Sequence, residues 1–296
     1  FMAETADILA NRPEAIARRG GSRRVNVILP ELTAGCPMAD MADEDQVEDC
    51  WRQLGEVIDI DEVMPVTYVN SSGVLKAFCG RNGGIVCTSS NARAVLDWAF
   101  TERRRVLFFP DQHLGRNTSL AMGIDESFIP LWDLKKPLGG NTPEQIEAAK
   151  VILWNGYCCV HQRFTAAHIK GMREKHAGIQ VIVHPECPRE IVDLADAAGS
   201  TGQIIQVVKQ SPPGSKWAIG TEWNLVNRLA AECPDREIYD LGDEPSLCGM
   251  MRRVDLAHLC WVLENLQAGD PVNIIHVEEK TAREAEIALM RMLEHA

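Results

Sequence analysis

The stretch Val151-Ile152-Leu153-Trp154-Asn155-Gly156-Tyr157-Cys158-Cys159-Val160-His161 decides the fold. Its short apolar run reads as a buried strand, Asn155-Gly156 breaks it, and a thiol follows where the chain turns toward Gln162-Arg163-Phe164. The same grammar occurs twice more. Val25-Asn26-Val27-Ile28-Leu29 runs into Pro30-Glu31-Leu32-Thr33-Ala34-Gly35-Cys36, and Glu237-Ile238-Tyr239-Asp240-Leu241 runs into Gly242-Asp243-Glu244-Pro245-Ser246-Leu247-Cys248. Each of three strands thus ends in a turn that presents one cysteine. If a pseudo-threefold axis relates the three units, Cys36, Cys158 and Cys248 converge on one point.

Outward from these runs, strand and helix alternate. Residues 1–19 read as a helix interrupted at Pro13 and closed by Gly20-Gly21. Residues 41–57 follow as a helix with Asp43, Glu44 and Asp45 at the positive end of its dipole. Further strands are expected at residues 65–69, 84–87, 105–109, 180–183 and 217–219. Thr88-Ser89-Ser90-Asn91 caps a helix over residues 92–101, and Ser200-Thr201-Gly202 caps one over 203–210. A helix is expected to start within residues 119–122. Residues 125–143 hold Pro130, Pro137, Pro143, Gly139-Gly140 and Trp132, and read as a surface excursion rather than a core element. Residues 250–267 read as an amphipathic helix and residues 282–294 as the last one.

Two blocks look like copies. Pro65-Val66-Thr67-Tyr68-Val69-Asn70, a helix, and Thr88-Ser89 correspond to Val181-Ile182-Val183-His184-Pro185-Glu186, a helix, and Ser200-Thr201. In this register Tyr68 matches His184, Asn70 matches Glu186 and Ser89 matches Thr201. Parallel sheets put such residues at the carboxyl ends of their strands, where ligands bind in open α/β folds.

With 296 residues, 32.8 kDa and 46% hydrophobic residues, the chain can bury more than one core, so two or three small domains are expected. No apolar run is long enough for a membrane helix, and the basic-then-apolar pattern of a signal peptide is missing, which leaves the cytoplasm as the expected compartment and no membrane partner. A net charge of -12 repels phosphate backbones, so no nucleic-acid partner is expected. Ten cysteines are many for such a chain, and its size makes disulfide staples unnecessary. Cys50, Cys79, Cys87, Cys233 and Cys260 sit in ordinary helix or strand patterns and read as buried thiols. Cys159 and Cys187 adjoin polar motifs. His161 and His113 read as packing residues outside the metal site.

Three thiolates hold either a structural zinc, with a fourth ligand, or three irons of a cubane whose fourth iron stays open. Spacing alone leaves both open. A His-Pro-Glu at a strand end supplies a donor and a general base within one turn, because the proline fixes the backbone between them.

The motifs also resemble a known family. Phe1-Met2-Ala3-Glu4-Thr5-Ala6, residues 29–40 (Leu-Pro-Glu-Leu-Thr-Ala-Gly-Cys-Pro-Met-Ala-Asp), Tyr68-Val69-Asn70-Ser71-Ser72 and Cys87-Thr88-Ser89-Ser90-Asn91 look like quinolinate synthase. So do residues 110–117 (Pro-Asp-Gln-His-Leu-Gly-Arg-Asn), residues 154–161, His184-Pro185-Glu186-Cys187 and Ile219-Gly220-Thr221-Glu222. The resemblance implies an α/β fold of three small three-layer αβα sandwich domains with parallel sheets around a pseudo-threefold axis, the active site at the centre. Residues 1–38 with 250–296 would form the first domain, 39–160 the second and 161–249 the third. It implies a 4Fe-4S cluster on Cys36, Cys158 and Cys248 with one open iron. Substrate contacts would be Tyr68, Val69, Asn70, Ser89, His184, Pro185, Glu186 and Thr201, with Glu186, Tyr68 and His184 catalytic.

The reaction so implied condenses iminoaspartate, supplied by an aspartate oxidase or dehydrogenase, with dihydroxyacetone phosphate. Quinolinate for NAD biosynthesis results, with loss of phosphate and two waters. Two alternatives are a non-catalytic iron-sulfur or zinc redox sensor and a zinc hydrolase. Family members carry a His-x-Tyr-Gln strand end and a Gly-Asp-Ser cap ahead of the Phe-Met-Ala-Glu stretch. Neither occurs in this sequence, which therefore reads as N-terminally truncated, able to hold a cluster but poor in turnover.

Overall fold

Pro13 opens the second helix at its first position, where a missing N–H costs nothing, and so separates α1 (Met2–Ala10) from α2 (Pro13–Arg18). The structure, a computed structural model, describes residues 1–21 and 24–295. After β1 (Val27–Ile28), Asp43 accepts the Gln46 amide in a capping box and starts α3 (Glu44–Gly55), which buries Val47, Cys50 and Leu54 on one face. Then β2 (Val63–Tyr68), α4 (Gly73–Arg81), β3 (Ile85–Cys87), α5 (Ala92–Glu102), β4 (Arg105–Phe109), α6 (Gln112–Ala121), β5 (Leu131–Trp132), α7 (Pro143–Ala148) and β6 (Val151–Trp154) alternate. The five strands β2 to β6 form one parallel sheet in the order β3-β2-β4-β6-β5. Every residue of β2, β3, β4 and β6 is buried, as expected for a sheet covered by helices on both faces.

The chain then repeats itself. After α8 (Ala166–Lys175) come β7 (Gln180–Val183), α9 (Arg189–Leu194), β8 (Ala197–Ala198), α10 (Thr201–Gln210), β9 (Lys216–Gly220), α11 (Trp223–Glu232) and β10 (Glu237–Asp240). Their sheet is again parallel, in the order β8-β7-β9-β10, which reproduces β3-β2-β4-β6 strand for strand. Register agrees too. Tyr68 pairs with Cys87, and Val183 pairs with Ala198, which puts His184 level with Gly199. Counting two residues further on, Asn70 and Ser89 of one unit correspond to Glu186 and Thr201 of the other.

The chain closes with α12 (Leu256–Ala268), β11 (Ile274–Ile275) and α13 (Glu279–Glu294). β11 pairs antiparallel with β1, joining the two ends of the chain. α13 lays Ala285, Ala288, Leu289 and Met292 into the core beside the five-stranded sheet. Its approach to α4 is close enough to require glycine: a Cβ on Gly80 would stand 1.8 Å from the Glu284 carbonyl oxygen. The architecture is α/β in three αβα layers, and no helix among the described residues is long and apolar enough to cross a membrane.

Four expectations are corrected. α6 starts at Gln112 rather than within 119–122, because Asp111 caps it by accepting the Leu114 amide. Residues 125–143 are not an excursion outside the core: they supply the edge strand β5 and bury Ile129 and Trp132 at 2% exposure each. Proline and glycine there shape a tight return, with Gly139 left-handed beneath the Trp132 ring. The expected helix over 250–267 splits into a 3-10 turn at Met251–Arg253 and α12. Among the described residues α12 buries only Val262, so Cys260 is exposed rather than core.

Gly80 and Gly171 therefore respond oppositely to alanine. Gly80→Ala should lower unfolding free energy by about 1–3 kcal/mol through overpacking against α13. Gly171→Ala, mid-helix in α8 with open space around it, should raise it by up to about 1 kcal/mol. Urea denaturation of the two variants measures both signs.

Candidate active site

Parallel strands deliver their carboxyl ends to one side, and here both sheets deliver theirs to one cavity of about 520 Å³. Tyr68, the last residue of β2, and Asn70 enter from the five-stranded unit; His184, Glu186 and Thr201 enter from the four-stranded one. Cys36, Cys158 and Cys248, from the loops after β1, β6 and β10, line the same cavity. Val69, Ser89 and Pro185 do not line it; Val69 and Pro185 each lie in the chain between two residues that do, whereas Ser89 has no lining neighbour.

Glu186 is the centre of the polar contacts, at 3% exposure. His161 Nδ1 lies 2.8 Å from its Oε2, in a contact too bent for a well-aligned hydrogen bond. His161 Nε2 lies 3.1 Å from Thr221 Oγ1, and the His161 ring stacks on His184 at 4.5 Å between centroids. The Glu186 amide donates to His184 Nδ1 at 3.3 Å, so the proton of neutral His184 belongs on Nε2. Burial pushes the Glu186 carboxyl up, but His184, His161 and the Tyr68 hydroxyl together outweigh burial and hold it below the usual carboxylate range. The same burial drives the Tyr68 phenol up, with the Glu186 charge adding to it, so Tyr68 stays a donor. Asp111, fully buried, goes the other way from Glu186: burial and then the Glu186 charge raise it, against the amides of Leu114, Cys158 and His113.

Among the described residues, the donor atoms of Cys158, His161 and Glu186 all lie within 4.8 Å of one another. The Cys158 thiol is raised by burial and then by Glu186; Cys36 is raised by burial, with Glu186 and Cys248 adding to it. A thiol, an imidazole and a carboxylate gathered within 4.8 Å of one another offer the donor types that bind a cation, so this donor set fits a metal cofactor.

Sequence reasoning placed His161 among packing residues; the structure puts it between Glu186 and Thr221. It also missed Thr221, Asn224, Leu225 and Arg228, which line the cavity. Asn224, Leu225 and Arg228 share one face of α11, a spacing readable in the sequence, while Thr221 lies ahead of the Glu222 cap. His113 stays outside, its Nε2 on Gln162. Cys159 is exposed, and Cys187 is buried with its thiol toward the Gly220 carbonyl. Cys50, Cys79, Cys87 and Cys233 are buried.

An α/β chain with thiols, imidazoles and a buried carboxylate gathered at the carboxyl ends of duplicated parallel sheets is built as an enzyme with a metal cofactor. The family model described as Quinolinate synthetase A protein matches residues 1–294. The chain is 60% identical over 294 residues to the quinolinate synthase of Rhodopirellula baltica, covering 99% of this chain and 75% of that protein. To the quinolinate synthase of Corynebacterium glutamicum it is 53% identical over 293 residues, covering 99% and 72%. To that of Bacillus velezensis it is 49% identical over 296 residues, covering 100% and 77%. The chain belongs to the quinolinate synthase family.

Burial holds the His184 imidazolium down to about 4, with Glu186 raising it and His161 lowering it further. The unfolded chain binds this proton near pH 6.5 and the folded chain only near 4. Stability is therefore full above about 6.5 and falls as pH drops toward about 4, by up to about 3 kcal/mol. Thermal melts of metal-free protein at pH 7 and pH 4.5 should show a wider gap for the wild type than for His184→Gln; equal gaps would refute this.

Proposed function

We propose that this chain is a quinolinate synthase, condensing iminoaspartate with dihydroxyacetone phosphate to quinolinate, phosphate and two waters for NAD biosynthesis. Atoms balance without an external oxidant. The observation that carries this reading is that Cys36, Cys158 and Cys248 line one cavity with Tyr68, Asn70, His184, Glu186 and Thr201. The three thiols suit a 4Fe-4S cluster held by three cysteines, and when bound the cluster supplies an iron with an open position as Lewis acid.

The chain's own residues supply the rest. Glu186, held ionised, takes a proton from a substrate carbon and returns it to a leaving hydroxyl. Tyr68 and His184 Nε2, both protonated, donate to the oxygens of enediol-like species and keep them oriented. Thr201, first residue of α10 behind the Ser200 cap, offers its hydroxyl and the free amides of the helix start to phosphate or carboxylate. Ser89, its counterpart in the copied unit, together with Asn70, Val69 and Pro185, is assigned to the remaining substrate contacts.

Three domains, residues 1–38 with 250–296, 39–160 and 161–249, meet at this centre in the same proposal; each parallel sheet falls within one of the latter two, and the β1–β11 pair joins the two parts of the first. The substrates are small molecules, iminoaspartate coming from an aspartate oxidase or dehydrogenase, and the expected compartment is the cytoplasm.

Anaerobic reconstitution should load about four irons and four sulfides per chain, whereas one zinc would favour a zinc hydrolase. Glu186→Gln should load equally but lower kcat for quinolinate formation by about 10²–10⁴. A loaded protein in which Glu186→Gln leaves every function intact would support the sensor alternative instead.

A further inference from the structure

Pro110-Asp111 and Thr221-Glu222 occupy the same place in the two parallel units. Asp111 lies three residues past Phe108, which pairs with Leu153 of β6; Glu222 lies three residues past Ile219, which pairs with Asp240 of β10. Each carboxylate caps the helix that follows. Asp111 Oδ1 accepts the Leu114 amide at 2.6 Å, and Glu222 Oε2 accepts the Asn224 amide at 2.7 Å. A cap needs only one oxygen. The second oxygen of each goes to a cysteine: Asp111 Oδ2 accepts the Cys158 N–H at 3.2 Å, and Glu222 Oε1 accepts the Cys248 N–H at 3.3 Å.

Neither residue is a surface cap. Asp111 is 0% exposed and Glu222 9%. Burying a carboxylate is costly, and an uncharged serine or asparagine would have capped either helix as well. What the carboxylate adds is the second acceptor, which in both units takes the backbone N–H of a cavity-lining cysteine in the loop after the neighbouring strand; Glu222 Oε1 also accepts from Asn224 Nδ2 at 3.0 Å. The carbonyls of all three cysteines accept the amide four residues on, from Asp40 at 3.1 Å, Gln162 at 3.0 Å and Arg252 at 3.2 Å, so among the described residues the carboxylate contact is what sets Cys158 and Cys248 apart from Cys36.

We propose that Asp111 and Glu222 are paired positioning residues that fix the Cys158 and Cys248 loops so that both thiols are preset to hold the metal cofactor. The inference rests on the cluster assignment above. It separates capping from clamping, because the two N–H groups sit on different oxygens and an amide side chain replaces one of those oxygens by an NH2 donor, which cannot accept from the N–H it faces. Residues behind a metal ligand typically change metal retention by about 10–100-fold when altered.

The test measures the rate of iron release to a chelator from anaerobically loaded protein, followed by the loss of cluster absorption, with thermal melts of the metal-free protein alongside. Asp111→Asn and Glu222→Gln should melt close to wild type yet release iron about 10–100-fold faster. Asp43→Asn, a change in the exposed cap of α3 that touches no cysteine, should release iron at the wild-type rate. Glu222→Gln stands as the independent variant should Asp111→Asn fail to fold. Release at the wild-type rate by a folded Glu222→Gln, whatever its melting point, overturns the proposal while leaving the cluster assignment standing. A wild type that takes up no iron and sulfide sinks both.

Discussion

A negative charge buried between two sheets is the constraint on which this molecule is built. Glu186 can stay ionised at 3% exposure only because partners from separate parts of the chain surround it: Tyr68 from the five-stranded unit, His184 from its own strand end and His161 from the connection between the units. Burial raises Tyr68 and lowers His184, and that charge in turn raises both. Tyr68 is kept protonated, and Asp111 close by is driven up.

The surrounding structure keeps that arrangement rigid. Asn117, on α6 of the first unit, donates to the carbonyls of Pro185 and Cys187 at 2.8 and 2.9 Å, gripping the His-Pro-Glu-Cys turn of the second. Trp154 Nε1 donates to the Met41 carbonyl and ties the sheet to the segment just after Cys36. Buried polar groups in such a network have few alternative partners, so the two units are fixed relative to one another by geometry as well as by packing. Under the proposed function, a general base and its donors need positions good to a fraction of an ångström, and these cross-links are of the kind that hold them.

Duplication accounts for the economy of the site. The same strand order and register place a polar pair beyond two equivalent strand ends, Tyr68 and Asn70 in one, His184 and Glu186 in the other. Divergence at these positions lets one copy supply a phenol and an amide while the other supplies an imidazole and a carboxylate. Phenol, amide, imidazole and carboxylate then line one volume.

Much of this was legible in the sequence because short-range chemistry wrote it there: the apolar runs at residues 151–154 and 180–183, the Ser200 cap, and the matched Tyr-x-Asn and His-x-Glu ends. Local signals failed where a distant partner decided the outcome. The proline-rich segment around Trp132 became an edge strand because β6 was there to pair with it, and α12 stayed at the surface with Cys260 exposed although its apolar pattern suggested burial. His161 looked like a packing residue until Glu186 and Thr221 met it from the other unit. By itself the sequence determined which residues end the strands and which cap the helices, since those depend on neighbours a few positions away. Only the tertiary structure decided which of them share a cavity and in which charge state, because burial and electrostatic coupling act through space and are blind to chain separation.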